Sequence, residues 1–244
     1  MKRFIINLNS FLKGVILFLR PGVFLNFLSN PLLFLSNTLK LTKWISANNR
    51  KDIYNDFYRP VRNYDDRYKL FENVIQKENL EKEAITYIEF GVSQAHSFRW
   101  WLKANSNSDS KFYGFDTFEG LPESWGTYKK GDMTALIPDI NETRVEFFKG
   151  LFQDTLYDFI STHDLKNGTR KIIHLDADLF SSTIFVLSTL AQYLNDGDIL
   201  FFDEFNVPNH EFYAFKIFTD TFYIKYELLG AVNNFYQVAF KIVK

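Results

Sequence analysis

The stretch IIHLDADLFSSTIFVLSTLAQYLNDGDILFFDE, residues 172–204, decides the architecture. Two short apolar runs, 172–175 and 199–202, flank a helical stretch at 182–194, and neither run alternates polar with apolar residues. Strands covered on both faces read this way. Each run ends in acids: Asp176 and Asp178 after the first, Asp203 and Glu204 after the second. Working outward, 85–90 predicts a strand, 97–104 a helix, 111–115 a strand, 144–148 a strand and 153–161 a helix. A long Gly- and Pro-containing loop fills 116–141. Downstream, 211–219 predicts a helix, and late strands near 222–229 and 235–242 are joined by a reversal at Val232-Asn233-Asn234. Repeated strand–helix units on short links imply a doubly wound α/β fold, mostly parallel with a late antiparallel addition.

The chain has 244 residues, 28 Lys and Arg against 29 Asp and Glu, and no cysteine. That length accommodates one catalytic domain with an N-terminal extension. No basic stripe follows a backbone-binding face, which argues against nucleic acid as a partner. Disulfides, thiolate metal sites and cysteine nucleophiles are excluded. The near-neutral total hides an asymmetry: Lys2, Arg3, Lys13, Arg20, Lys40, Lys43 and Arg50 are the charged residues of 1–50, and none is acidic. This Phe- and Leu-rich arm has no apolar run long enough to span a bilayer and no convincing cleavage site. Pro21-Gly22 and Asn30-Pro31 divide it into three segments. Two readings fit it: contact with an anionic membrane surface, or packing against the catalytic domain or a second subunit in a homo-oligomer. The expected division is a helical arm over 1–50, a linker and helix over 51–80, and a catalytic domain over 81–244. The expected location is the cytoplasm, peripheral to the inner face of the membrane if the arm binds lipid.

Ligands of open α/β sheets sit beyond the carboxyl ends of the strands, where four predicted strands place acids. Glu89-x-Gly91 followed by Ser97 resembles a nucleotide-binding turn without the triple-glycine fingerprint of dinucleotide sites. Asp116, ending the second of these strands, is placed to accept hydrogen bonds from ribose hydroxyls. Asp176, Asp203 and Glu204 form an oxygen-only set that suits Mg²⁺ or Mn²⁺ better than zinc. Each acid also has a plainer reading as a helix cap. His96, His163, His174 and His210 show no metal spacing, and His174 lies inside an apolar strand. Glu119, Trp125, Tyr128 and Asp132, in the long loop, are candidates for an acceptor lid on which a sugar ring stacks, or for residues that simply close the loop.

The order EFGV-x-x-x-x-S (89–97), FYGFDTFEGLPE (112–123), FFKGLFQDTL (147–156), HLDADLFSST (174–183) and LFFDEF (200–205) resembles the macrocin O-methyltransferase family over about residues 65–244. The resemblance implies a class I methyltransferase fold with a seven-stranded sheet in the order 3-2-1-4-5-7-6, S-adenosylmethionine and a divalent metal. Glu89, Gly91 and Ser97 then belong to the cofactor turn, Asp116 to the ribose and Gly150 to the adenine side. Asp176, Asp203 and Glu204 match the metal carboxylates, and Asp178 matches an acid near substrate that would accept the proton. Three positions depart from the family: Ala95 replaces a glycine of the cofactor turn, Glu204 stands for an Asp, and 123–139 contains no histidine. The function implied is methylation of a saccharide hydroxyl, on a glycoside or a cell-envelope glycan. The alternatives are a catechol-like small-molecule O-methyltransferase and a noncatalytic binding or assembly protein of the same fold.

Overall fold

A computed structural model of the chain describes residues 1–166 and 168–244. Two compact units divide at Lys40 and Leu41. The first holds α1 (Lys2–Leu19), the short α2 (Gly22–Leu25) and the first part of α3 (Ser29–Asn48). Arg20 ends α1 in the left-handed region, its N–H donating to the Ile16 carbonyl, and Pro21 follows. Residues 41–48 of α3 belong to the second unit, where the Trp44 ring packs against Phe205 and its Nε1 donates to the Tyr226 hydroxyl at 2.9 Å.

Within the second unit the elements run β1 (Tyr54–Asn55), α4 (Asp66–Lys77), β2 (Ile85–Phe90), α5 (His96–Ala104), β3 (Lys111–Asp116), β4 (Val145–Lys149), α6 (Phe152–Thr162), β5 (Arg170–Leu175), α7 (Phe180–Leu190), β6 (Ile199–Phe202), α8 (Glu211–Thr221), β7 (Lys225–Val232) and β8 (Gln237–Val243). They build one sheet in the order β1-β7-β8-β6-β5-β2-β3-β4. Pairing is parallel from β6 through β5, β2 and β3 to β4, whereas β8 is antiparallel to both β6 and β7. Strand alternation gives the sheet two apolar faces. Ile88, Phe90, Ile173, Leu175, Leu200 and Phe202 pack with α6, α7 and α8. Tyr87, Ile172, Ile199 and Phe201 pack with α4 and α5. On α4 the buried set Leu70, Phe71, Val74 and Ile75 repeats with the helical period, so one stripe faces the sheet.

The sheet has eight strands where seven are expected in the order 3-2-1-4-5-7-6. The added one, β1, falls in the linker part of the stretch 51–80, and it pairs in parallel outside β7, Tyr54 opposite Gly230. Gly230 makes this possible. A Cβ there would stand 3.1 Å from the Tyr54 carbonyl oxygen and 2.7 Å from Leu70 Cδ1.

The same segment is tied down by the reversal between β7 and β8. Asn233 accepts from the Asn63 N–H at 2.9 Å through Oδ1 and donates to the Asn63 carbonyl at 2.9 Å through Nδ2. Asn234 repeats the arrangement on Arg59, at 2.7 and 2.6 Å. Two side-chain amides thus act as a substitute strand for a segment that has none. Both asparagines have positive φ, 55° and 59°, a region Asn tolerates better than most residues. Replacing Asn233 by Ala removes the clamp on Asn63 and leaves a β-carbon in a left-handed conformation, for an expected loss of about 2–4 kcal/mol. Asn233→Gly retains the conformation and is expected to lose about 1 kcal/mol less. Urea unfolding of the three proteins checks the order wild type, Gly, Ala.

Candidate active site

A cleft of about 260 Å³ opens at the carboxyl ends of β2, β3 and β5. Gly91, immediately after β2, has φ +95°, and its N–H donates to the Phe115 carbonyl at 2.8 Å. A Cβ at this position would lie 1.8 Å from the Asp176 carbonyl oxygen. The glycine therefore brings the turn after β2 against the end of β5, so that acids from both strands meet in one cleft. Asp116 ends β3 with both carboxylate oxygens bound to backbone: Oδ2 accepts from the Ser93 N–H and Oδ1 from the Phe118 N–H, each at 2.7 Å. Each oxygen keeps a second lone pair, and the carboxylate is fixed on the cleft wall.

Beneath the turn, the Tyr87 hydroxyl donates to Glu89 Oε2 at 2.5 Å. The hydroxyl also lies 2.9 Å from His174 Nδ1. Because its one proton goes to Glu89, His174 must donate from Nδ1. Glu89 and His174 are each 1% exposed, so this chain of bonds fixes Glu89 from below.

Beside the turn stand four acids. Asp176 and Asp178 follow β5; Asp203 and Glu204 follow β6. Asp203 is fully buried, and its Oδ2 accepts from the Tyr64 hydroxyl at 2.6 Å with an Arg67 nitrogen 3.7 Å away. Its Oδ1 has no hydrogen-bond partner. Glu204 Oε1 accepts from the Tyr236 hydroxyl at 2.5 Å, and its backbone N–H donates to Glu211. Asp178 sits at φ +56°, turned so that its carboxyl meets that of Glu204.

Residues 88–205 match the family model described as a methyltransferase domain. Among solved structures, the chain is similar to CalS11, a calicheamicin methyltransferase, at 17% identity over 84% of this chain and 91% of that one, with a TM-score of 0.55. It is similar to the O-methyltransferase NovP at 19% identity over 74% and 79%, with a TM-score of 0.53. The apo structure of CalS11, described as a TDP-rhamnose 3′-O-methyltransferase, aligns at 16% identity over 84% and 93%, with a TM-score of 0.50. No curated protein sequence matches the chain. The fold is that of a class I methyltransferase.

Within this fold, Glu89, Gly91, Ser97, Asp116, Asp176, Asp178 and Glu204 all line the same cleft. Asp203 stands behind it, covered by Tyr64 and Arg67, and Gly150 lies just outside while Leu151, Phe152 and Gln153 line the wall. Ala95, at the position where a glycine is expected, adopts φ +61° and is buried, so the turn holds its left-handed conformation with a β-carbon in place. Trp125 and Tyr128 do not line the cleft. They stack on each other, with ring centroids 5.6 Å apart and 10° between planes, and close the loop on itself. The loop contributes Gly120, Leu121, Pro122 and Met133 instead. Asp132 and Glu119 serve the loop and its neighbours: Asp132 accepts from the Lys129 N–H, and Glu119 pairs with Lys149.

Tyr64, Arg67, Tyr236 and Glu211 are the site residues that the sequence reading missed. Tyr64 precedes α4 and Arg67 lies in its first turn, so neither belongs to a motif of its own.

Crowding sets the protonation. Burial pushes Asp176 well above the usual carboxylate range, with Asp203, Asp178, Glu204 and Glu89 adding repulsion. Burial also raises Asp178, helped by Asp203 and Asp116 and opposed by its hydrogen bond with Glu204. Burial and then Asp178 push Glu204 up to about 9. At neutral pH Glu204 therefore holds a proton, with Asp178 beside it. The donor chemistry suits a divalent cation: oxygen ligands, mutual repulsion and the unpartnered Asp203 Oδ1. Convergence is lacking, since among the described residues no three His, Cys, Asp or Glu side chains gather as a bound metal requires.

Glu204 makes stability fall as pH rises. Its native pKa of about 9 lies above the ordinary value of 4.5, so between those values the native state holds a proton that the unfolded chain releases. The ligand-free protein should lose stability through pH 6 to 9, by up to about 1.4 kcal/mol per pH unit from this one group, and level off beyond. Glu204→Gln should flatten that slope by about one proton. Urea midpoints of both proteins across the range give the comparison, and equal slopes would contradict the assignment.

Proposed function

We propose that the chain transfers a methyl group from S-adenosylmethionine to a hydroxyl of a saccharide, on a glycoside or a cell-envelope glycan, at the cytoplasmic face of the membrane. The observation that carries the proposal is the placement of Asp116. It is held on the cleft wall by two backbone amides with lone pairs to spare, next to the glycine turn and opposite a cluster of acids. That arrangement suits a ribose diol on one side and a polyhydroxyl acceptor on the other. CalS11, described as acting on TDP-rhamnose, supports a sugar as the class of acceptor.

The cofactor supplies an electrophilic methyl group on a sulfonium. The chain's own residues do the rest. Asp116 holds the ribose, and the turn through Gly91 and Ser97 receives the amino-acid end. Asp178, with the protonated Glu204 beside it, would accept the proton of the attacking hydroxyl. A carboxylate is a weak base for an alcohol, so positioning and exclusion of water carry most of the rate. Asp176, Asp203 and Glu204 would hold Mg²⁺ or Mn²⁺, which would acidify the acceptor hydroxyl. For that, Tyr64 and Arg67 would have to give up their hold on Asp203.

A noncatalytic binding protein is the second reading, favoured by one observation: Arg67 and Tyr64 already neutralise the acid that a metal would need.

Calorimetric titration of S-adenosylmethionine, with and without Mg²⁺, tests both readings. Saturable binding is expected, weakened at least tenfold by Asp116→Ala, and Mg²⁺ should leave a binding signal of its own that Asp203→Asn removes. Absence of cofactor binding under either condition would overturn the methyltransferase proposal. Cofactor binding with no methyl transfer to any saccharide or catechol would favour the second reading.

A further inference from the structure

The unit formed by residues 1–40 keeps its apolar side chains in solvent. No residue of α1 is buried, and Phe4, Phe11 and Phe18 are 71%, 67% and 84% exposed. At about 100° per residue, Phe18, Phe11, Phe4, Val15, Leu12 and Ile16 follow one another across an unbroken apolar arc of about 160°. Lys2, Arg3, Ser10 and Lys13 lie opposite, interrupted by Ile6 and Leu17, with Asn7 and Asn9 at the two borders. Beyond Pro21, Val23, Phe24 and Phe27 continue the exposure, each above 70%. A continuous apolar surface of this extent is not left in water by a soluble monomer.

Charge identifies the cover. The first acid in the chain is Asp52, so every charged side chain along the arm is positive. The arm of a second copy would bring the same positive charge against it, whereas an anionic lipid surface supplies the opposite sign. Among the described residues no single helix is long and apolar enough to cross a membrane; α1 and the following helical segment reach that only together, across a 59° bend. A helix apolar along one arc and basic along the other fits the plane of the interface rather than its normal.

We propose that α1 lies in the plane of an anionic membrane surface, with Phe4, Phe11 and Phe18 among the acyl chains and Lys2, Arg3 and Lys13 at the headgroups. This monotopic anchor stands independently of the catalytic proposal.

The absence of native cysteine makes the test direct. Full-length Phe11→Cys, Val15→Cys and Ser10→Cys proteins carry an environment-sensitive fluorophore and are mixed with phosphatidylcholine vesicles, with or without phosphatidylglycerol. Blue shifts are expected at 11 and 15 but not at 10, and only with phosphatidylglycerol. Replacing Lys2, Arg3 and Lys13 together by Gln should weaken partitioning on the order of 100-fold, with the thermal transition of the body unchanged. Blue shifts on both faces would indicate full insertion and overturn the in-plane proposal. Shifts at 11 and 15 without vesicles, growing with protein concentration, would assign the arc to a second copy and overturn it too. Failure to shift in any vesicle would remove it altogether.

Discussion

Repulsion among four acids at the carboxyl edge of β5 and β6 is the constraint to which the rest of the site responds. Asp176, Asp178, Asp203 and Glu204 come from adjacent parallel strands, and burial removes the water that would screen them. The protein relieves them one by one. Tyr64 and Arg67 face Asp203, Tyr236 donates to Glu204, and a proton stays on Glu204 beside Asp178. Such an arrangement is costly to stability and is retained where chemistry uses it.

That relief depends on the segment between α3 and α4. Tyr64 reaches Asp203 only because the backbone at Arg59 and Asn63 is held by the Asn233–Asn234 reversal and because β1 closes against Gly230. A turn at one end of the sequence thereby positions, from the other end, two groups that neutralise the site. The added strand is part of the site's construction rather than an ornament of the sheet edge. At the end of β2, Gly91 has the matching role, since the close approach of the Asp176 carbonyl fits only where no β-carbon exists.

The central architecture was legible in the sequence because strands buried on both faces must be apolar throughout, as β2, β5 and β6 are. Acids at the ends of such runs mark the ligand edge, and the cleft gathers seven of the expected residues. What the sequence concealed depended on partners far along the chain. β1 is two residues long and has no apolar pattern of its own; its pairing is written in Gly230. Tyr64 and Arg67 read as linker and helix surface because Asp203 lies well over a hundred residues away. Trp125 and Tyr128 show that an aromatic pair in a loop serves as well to close the loop as to receive a ligand. Nor does a list of acids reveal which of them is already satisfied: Asp203 follows the right strand but is turned to Tyr64.

The most direct measurement of the central claim is a crystal structure of the protein with S-adenosylhomocysteine. The account predicts the ribose hydroxyls within hydrogen-bond distance of both Asp116 oxygens, the amino-acid end against the turn through Gly91, and the sulfur directed toward the Asp176–Asp178 side of the cleft. A ligand bound elsewhere, or one bound in the cleft with Asp116 still engaged only by the Ser93 and Phe118 amides, would contradict it.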